Sequence, residues 1–333
     1  MADFSTLSMT EIIRLQSDLQ EELTRRFQQH AALAFSDIVG STEYFARYGD
    51  APGRQLQQLH VDLLSECLAR HQGRVVDTAG DGAFLTFPAA DAAIDALIEI
   101  QTTVSRANIA RSREHQLRLR IGAHWGTVLT DGVAVTGEAV NLSARVAGSA
   151  EPGEIRLTRE MYQEMSGAHR LKCESVGATP LKGVSREVEV LVLGWRDRAL
   201  FPTHIRIEET AEQRRLPNQD IISFGRLRQH EGAAANDVVL THPDAERALQ
   251  ISRWHFELRR FPDGFKLRPL SDGQTEVDGV TIAKNSEAAV KAGSKIRVGS
   301  ILTVSFLSPA SALLAESAAA TRAVQSGNGR DPA

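Results

Sequence analysis

Two aspartates stand where an apolar stretch meets a run of small residues. Asp37 follows an apolar run that ends at Phe35, and Asp81 lies between two glycines. A carboxylate at the end of a strand holds Mg²⁺ in the open, water-retaining way that this ion prefers. Backbone amides of a following turn can bind triphosphate oxygens, and the turn after Asp37 contains Val39, Gly40, Ser41 and Thr42. Because the chain has 42 acidic residues, a solvated turn aspartate is the ordinary alternative for each.

An amide and a guanidinium follow on one predicted helix. Asn141 and Arg145 are four residues apart and therefore share a helical face. The guanidinium can stabilise charge that develops on a phosphoryl group, and the amide can orient a sugar. A polar outer face of a helix is the alternative. Lys182 lies in a turn before a strand, where most lysines are simply solvated.

Helical and strand-like patterns alternate as far as Trp195. Apolar residues at three- and four-residue steps predict an amphipathic helix from Thr10 to about Ala32, which either packs on its own domain or pairs with a second copy. The polar turn 78–82 predicts a hairpin. Other helices are predicted at about 54–68, 90–108 and after Gly137, and strands at 31–35, 74–76, 83–87, 117–121, 154–157, 171–175 and 188–193. We therefore expect a mixed α/β domain.

The pattern changes after Trp195. Short alternating runs separated by turn residues fill residues 201–308, which is typical of an all-β sandwich. Residues 309–333 are rich in Ala, Ser and Gly and predict a disordered tail. The expected division is a helix over 1–30, an α/β domain over 31–195, a sandwich over 201–308 and a tail over 309–333.

Length and charge exclude several classes of protein. The 333 residues correspond to about two domains. With 38 Lys+Arg against 42 Asp+Glu, the net charge of −4 provides no basic field for nucleic acid or anionic lipid. No apolar stretch reaches the roughly 18 residues of a membrane span, and the start lacks the basic region of a secretory signal. Cys67 and Cys173 are too few for a disulfide framework. We therefore expect a cytoplasmic protein.

Five motifs over residues 31–195 resemble the catalytic domain of class III nucleotidyl cyclases. They are FSDIVGST with Asp37, TAGDGAFLTF with Asp81, RIGAHWG, GEAVNLSARV with Asn141 and Arg145, and LKGVSREVEV with Lys182. Each motif is short, but the order and spacing of all five make the set specific. The resemblance implies a ferredoxin-like α/β (α+β) fold.

The resemblance also implies a division of roles. The residues matching Asp37 and Asp81 bind two Mg²⁺ or Mn²⁺ ions, with the main-chain carbonyl of Ile38 as a further ligand. Those matching Asn141 and Arg145 hold the ribose and the transition state. The family builds each site between two subunits. Because this chain has both halves, the resemblance implies a head-to-tail homodimer with two equivalent sites.

The substrate pocket departs from the family at two positions. The Lys182 equivalent holds the terminal phosphates, but the usual hairpin lysine is Asp77 here, and the Asp or Thr before the Asn helix is Ala134. A carboxylate only accepts hydrogen bonds, so Asp77 suits guanine better than adenine, and a mispaired buried polar group costs about 1–3 kcal/mol. Members with non-standard pockets commonly still use ATP. The resemblance thus favours ATP, with GTP as the alternative, and Asp77 is a plain hairpin residue if it points to solvent.

Three further motifs resemble the forkhead-associated (FHA) fold. They are FGR with Arg226, SRWH with Ser252 and Arg253, and TEVDG beginning at Thr275. The resemblance implies that these residues bind a phosphothreonine peptide, since guanidinium groups favour phosphate, and that His255 supports the loop. The family's Thr-Asn pair aligns with Asp272 and Gly273, where an added carboxylate repels a phosphate. A sandwich that regulates or stabilises a dimer without reading phosphate is the alternative.

The expected function is therefore a class III adenylate cyclase that makes cyclic AMP and pyrophosphate from ATP. Its FHA domain would couple activity to a phosphothreonine-bearing protein of a Ser/Thr kinase pathway. A guanylate cyclase is the alternative enzyme. A catalytically weak scaffold acting through the FHA domain is the alternative outside enzymes, although a scaffold needs none of the cyclase residues. Neither a nucleic-acid partner nor a membrane span is expected.

Overall fold

The computed structural model describes residues 7–197, 200–230, 232–261 and 263–307. The predicted tail over 309–333 lies outside these residues. The chain forms two compact units, Met1–Val104 with Leu117–Trp195, and Ser105–Gln116 with Arg196–Ala333. No helix within the described ranges is long and apolar enough to cross a membrane.

The first unit is a mixed α/β domain, as predicted. Its elements are α1 (Met9–Phe27), β1 (Gln28–Ile38), α2 (Ser41–Tyr48), α3 (Asp50–Leu68), β2 (Arg74–Ala79), β3 (Gly82–Phe87), α4 (Ala90–Asn108, whose last residues group with the second unit), β4 (Leu119–Thr130), β5 (Val135–Thr136), α5 (Glu138–Ser149), β6 (Ile155–Thr158), α6 (Arg159–Glu164), α7 (Gly167–Arg170), β7 (Cys173–Thr179) and β8 (Val188–Leu193).

One sheet organises this unit, in the order β2-β3-β1-β4-β6-β8-β7, with β5 added to β4. Among the described strands of this sheet, only β4 and β6 pair in parallel. The predicted boundary between the first helix and strand is wrong. The helix ends at Phe27 and not near Ala32, because β1 pairs with β4 along its whole length from Gln28. No residue of α1 is buried.

Helix α5 lies directly on the sheet at a glycine. A Cβ atom built on Gly122 of β4 would lie 2.0 Å from the backbone nitrogen of Ala147. The buried Ser143 hydroxyl donates a hydrogen bond to the Leu33 carbonyl of β1 (3.0 Å). Because α5 is fixed against β1 and β4 in this way, its outer face holds Asn141 and Arg145 exposed.

The second unit is an all-β sandwich, as predicted. Its elements are β9 (His204–Ile207), β10 (Glu212–Arg215), β11 (Ile221–Gly225), β12 (Gln229–His230), β13 (Ala233–Ala234), β14 (Val238–Val239), α8 (Ala245–Ala248), β15 (Phe256–Phe261), β16 (Gly264–Pro269), β17 (Thr275–Val277), β18 (Val280–Thr281), β19 (Ala288–Val290), β20 (Lys295–Val298) and β21 (Leu302–Phe306).

Two sheets enclose the core of this unit, in the orders β10-β9-β21-β20-β17-β18 and β14-β11-β15-β16-β19. Phe224 and Phe256 stack within it at 4.5 Å between ring centroids. The segment Ser105–Gln116 groups with this unit, although the sequence placed it in the α/β domain. A polar contact explains this grouping, because Arg113 Nη1 donates a hydrogen bond to Ser223 Oγ at 2.9 Å.

Candidate active site

The two aspartates lie at the same end of neighbouring strands. Asp37 is the last residue but one of β1, and its Cα partners are Gly82 on β3 and Arg120 on β4. Asp81 directly precedes Gly82, and its carbonyl accepts a hydrogen bond from the Ile38 N–H (3.3 Å). The hairpin turn is thus only Gly80 and Asp81. The structure thus places the two aspartates at neighbouring positions of the sheet, and their role as metal ligands stays a prediction.

A guanidinium occupies one side of Asp37. Arg120 Nε donates to Asp37 Oδ2 at 2.7 Å, and Arg120 Nη2 contacts the same oxygen. Both side chains are partly exposed, at 24% for Asp37 and 35% for Arg120. Sequence reasoning noted the RIGAHWG strand but assigned no role to Arg120. The alternation of Arg118 and Arg120 with apolar residues indicated a half-buried strand. The sequence alone does not give the cross-strand register that places Arg120 beside Asp37.

The turn after Asp37 differs from the expectation at Val39. The Val39 N–H donates a hydrogen bond to the Arg118 carbonyl (2.8 Å) and is therefore not available to a phosphate oxygen. The prediction that Val39 binds the triphosphate is wrong for this reason. Gly40 has φ 76° and caps α2 without a side-chain hydrogen bond. The amides of a helix's first turn have no intrahelical acceptor, so those of Ser41 and Thr42 fit the expected role. The Ser41 hydroxyl donates to Asp81 Oδ2 and so orients that carboxylate.

The remaining cyclase residues form a second group. Asn141, Arg145 and Lys182 are all exposed. A Cβ atom on Gly183 would lie 3.9 Å from Arg145 Nε, so the Lys182 turn is next to that guanidinium. Among the residues that the structure describes, no hydrogen bond or ion pair joins this group to Asp37 or Asp81. The outer face of α5 and the Lys182 turn thus form a second group of exposed polar side chains.

The two unusual pocket positions are both exposed. Asp77 lies on β2 opposite Phe84, next to a bulge. Ala134 lies in a turn where Asp131 Oδ1 accepts hydrogen bonds from the amides of Val133 (2.9 Å) and Ala134 (2.8 Å). These amides lower the pKa of Asp131. Ala134 itself offers a base no side-chain hydrogen bond.

The residues present fit a divalent cation. Where the structure describes the chain, no cluster of three or more His, Cys, Asp or Glu side chains forms a closed metal cage. Mg²⁺ is usually held by one or two carboxylates together with water and substrate phosphates. Asp37 and Asp81 supply that donor set, and the guanidinium on Asp37 shows that this carboxylate already attracts a cation.

The second unit places its motif residues around one loop. Arg226 is half-buried, Arg253 is exposed, and the Arg226 N–H donates to the Ser252 carbonyl (3.1 Å). The buried His255 accepts a hydrogen bond from the Ser252 N–H at Nδ1 (3.0 Å) and contacts the Gln274 carbonyl through Nε2 (3.2 Å). Burial lowers the pKa of His255. The neutral ring thus connects two loops, the supporting role that the resemblance implied.

Thr275 was wrongly assigned to peptide binding. Its side chain is buried, with 1% exposed, and its hydroxyl donates to the Gly273 carbonyl (3.3 Å), so it shapes the loop and cannot touch a peptide. Gly273 is needed because a Cβ there would lie 2.8 Å from His255 Cε1 and 2.9 Å from Ser252 Oγ. Asp272 forms an exposed ion pair with Lys284 (3.1 Å), which offsets the negative charge expected to repel phosphate.

Comparisons with known proteins match both units. The family model described as adenylate and guanylate cyclase catalytic domain matches residues 24–194, and that of the FHA domain matches residues 222–299. Putative adenylate cyclase 3 of Rhizobium meliloti is 24% identical over 208 residues, covering 62% of this chain and 35% of that protein. The chain spans half or less of the length of the curated relatives that it matches.

Solved structures of similar proteins include two bacterial cyclases. The adenylate/guanylate cyclase/hydrolase from Silicibacter pomeroyi is 23% identical, with a TM-score of 0.46, and covers 50% of this chain and 96% of that one. The adenylyl cyclase CyaB from P. aeruginosa is also 23% identical, with a TM-score of 0.42, and covers 50% and 95%. Since the family model matches more than half of the 333 residues, this chain belongs to the adenylate and guanylate cyclase catalytic domain family, with an FHA domain following the cyclase domain.

Proposed function

We propose that this chain is a class III adenylate cyclase that converts ATP to 3′,5′-cyclic AMP and pyrophosphate in a homodimer. The observation that carries the proposal is the placement of Asp37 and Asp81 side by side, with Asn141 and Arg145 exposed in a separate group. Relatives named adenylate cyclase favour ATP as the substrate.

The half-site around Asp37 would hold the metal ions and the triphosphate. Asp37, Asp81 and the Ile38 carbonyl would bind Mg²⁺ or Mn²⁺, two ions per site. Bound divalent ions lower the pKa of the ribose 3′-hydroxyl and neutralise the triphosphate. The amides of Gly40, Ser41 and Thr42 would hold phosphate oxygens.

The second half-site would come from the partner copy. The ribose 3′-oxygen would attack the α-phosphorus and lose its proton to solvent, while the bond between the α-phosphorus and the pyrophosphate leaving group breaks. Asn141 would orient the ribose, and Arg145 would stabilise the charge on the pentavalent phosphorus, where a fixed guanidinium has its largest effect. Lys182 would hold the terminal phosphates.

Subunit complementation tests this arrangement. Asp37→Ala and Asn141→Ala should each abolish turnover, and mixing the two inactive chains should restore one intact site per heterodimer. Asp62→Ala, which removes an exposed carboxylate of α3, is the matched control and should keep full activity. No recovery on mixing, with both variants folded and dimeric, would count against a shared site.

Guanylate cyclase activity is the second candidate, because Asp77 can accept hydrogen bonds from the N1–H and amino group of guanine. Incubating the chain with Mn²⁺ and either ATP or GTP, then separating the products, decides between them. We expect cyclic AMP as the main product. An excess of cyclic GMP would establish the alternative. The absence of both cyclic nucleotides would contradict both candidate functions.

For the second unit we propose that Arg226, Ser252 and Arg253 bind the phosphate of a phosphothreonine protein of a Ser/Thr kinase pathway. The Asp272–Lys284 ion pair supports this, since it reduces the repulsion of a phosphate. Arg226→Ala should lose binding of phosphothreonine peptides, whereas Arg297→Ala, an exposed arginine on β20, should retain it. Equal binding by both variants would contradict the assignment.

A further inference from the structure

A buried histidine lies behind the two aspartates. His60 is on α3, and only 2% of it is exposed. Its Nε2 atom lies 2.8 Å from the hydroxyl of the fully buried Ser36. The histidine therefore contacts the residue that directly precedes Asp37 in β1.

Ser36 and His60 pair with each other at a buried site. A neutral ring has one N–H donor and one nitrogen acceptor, so Nε2 and the Ser36 hydroxyl can satisfy each other there. On the other side of Asp37, the Ile38 N–H donates to the Asp81 carbonyl (3.3 Å). Asp37 thus lies between a residue held by His60 and a residue held by Asp81.

This pairing connects the positions of the two carboxylates. Ser36 directly precedes Asp37 in β1, and the Asp81 carbonyl belongs to the second aspartate. We propose that His60 is a positioning residue that sets the separation of Asp37 and Asp81 and thereby their affinity for a divalent cation. The inference rests on the proposed function, because it takes these two aspartates as the metal ligands.

The size of the effect follows from how ligands are held. Groups that orient metal ligands typically change metal affinity about 10- to 100-fold when removed. A ligand displaced by more than about 0.5 Å from its productive position is no longer preorganised. His60→Leu fills this buried site with an apolar side chain but removes the hydrogen bond to Ser36. We expect it to weaken Mn²⁺ binding about 10- to 100-fold.

Two milder changes test the same contact. In His60→Asn the shorter side chain keeps a polar group at the buried site, while contact with Ser36 is lost. Ser36→Ala removes the same contact from the other side. We expect both to weaken Mn²⁺ binding less than His60→Leu does, and to raise the Mn²⁺ concentration for half-maximal activity while leaving kcat at saturating Mn²⁺ unchanged.

The matched control is another buried histidine of the same unit. His124 on β4 is 6% exposed and has a hydroxyl partner, Thr158 Oγ1, at 2.8 Å from Nδ1. His124→Leu removes an equivalent buried hydrogen bond far from the aspartates in the sheet register. It should lower the melting temperature and leave the affinity for Mn²⁺ unchanged.

Mn²⁺ binding is measured by electron paramagnetic resonance on the full-length chain without nucleotide, with thermal unfolding to confirm that each variant folds. If Asp37→Ala abolishes binding but His60→Leu and His60→Asn bind as the wild type does, the positioning role is wrong and the proposed metal site stands. If the wild type and Asp37→Ala bind Mn²⁺ equally, both proposals are wrong. If His60→Leu does not fold, His60→Asn and Ser36→Ala decide.

Discussion

Gly122 offers a direct test of how α5 is held on the sheet. Gly122 lies on β4 between its two neighbouring strands, opposite Phe35 of β1 and Arg156 of β6. In Gly122→Ala the new methyl carbon would lie 2.0 Å from Ala147 N and 2.5 Å from Ala147 Cα. Ordinary contact begins at 3.4 Å, so α5 must recede by about 1.4 Å, the difference between the two distances. Backbone atoms, unlike a flexible side chain, cannot turn aside.

Two measurable losses follow from that displacement. Overpacking of a core typically costs about 1–3 kcal/mol, which corresponds to a fall in Tm of roughly 2–12 °C for a domain of this size. Asn141 and Arg145 move with α5, and a misplacement of about 1 Å can cost roughly 100-fold in rate. We therefore expect Gly122→Ala to lower both the melting temperature by circular dichroism and the kcat with Mn²⁺ and the preferred nucleotide.

Gly148 on the same helix is the matched control. A Cβ atom there meets nothing within 4 Å, and alanine in place of glycine favours a helix by up to about 1 kcal/mol. Gly148→Ala should keep or slightly raise the melting temperature and leave kcat unchanged. If Gly122→Ala behaves like Gly148→Ala in both assays, the close approach of α5 to β4 does not position Asn141 and Arg145.

Three other changes have defined outcomes. Arg120→Gln removes the guanidinium that pairs with Asp37. Because a partly exposed ion pair contributes about 1 kcal/mol at most, Mn²⁺ binding without nucleotide should tighten by no more than about fivefold. Weaker Mn²⁺ binding would contradict the idea that Arg120 competes with the cation for Asp37. Burial lowers the pKa of His255 from 6.5, so the unfolded chain takes up the proton first and the stability of the folded state falls as the pH drops below 6.5. The hydrogen-exchange protection of residues 252–275 should therefore fall from pH 7 to pH 5 in the wild type. A protection factor that does not change with pH would contradict this. Gly273→Asn restores the residue of the family but displaces Ser252 and His255, so fluorescence anisotropy should show weaker binding of a phosphothreonine peptide, and tighter binding would refute the steric argument.

Local patterns predicted most of the elements, because hydrophobic period and turn residues depend on nearby sequence. The α4 helix was predicted at 90–108 and is found at Ala90–Asn108. The boundary between α1 and β1 was missed because it is set by a strand more than 80 residues away along the chain, β4, which pairs with every residue from Gln28 to Ile38. Local propensity contains no information about such a partner.

The candidate site residues were named from the order of the motifs and not from residue type alone. Asp37 and Asp81 were singled out in this way, and the structure places them at neighbouring positions of the sheet, while their metal-binding role stays a prediction. Arg120 could not be named, since its importance depends on the register that places it opposite Asp37. Thr275 was wrongly assigned because its hydroxyl makes a buried hydrogen bond within its own loop, which the sequence does not reveal.

The register of β1 explains how one strand serves both the core and the site. Successive side chains of a strand point to opposite faces. Ala32 and Ala34 pack in the core that contains residues of α3 and α4, and Ser36, of the same parity, meets His60. Leu33 packs with Ala139 of α5 on the opposite face. Asp37 has the same parity as Leu33 and therefore lies on this second face, which α5 covers farther along the sheet. A slip of one residue would bury Asp37 against α3 and expose Ser36, because it exchanges the two faces. The eleven paired residues that join β1 to β4 therefore fix the position of the carboxylate as well as the fold.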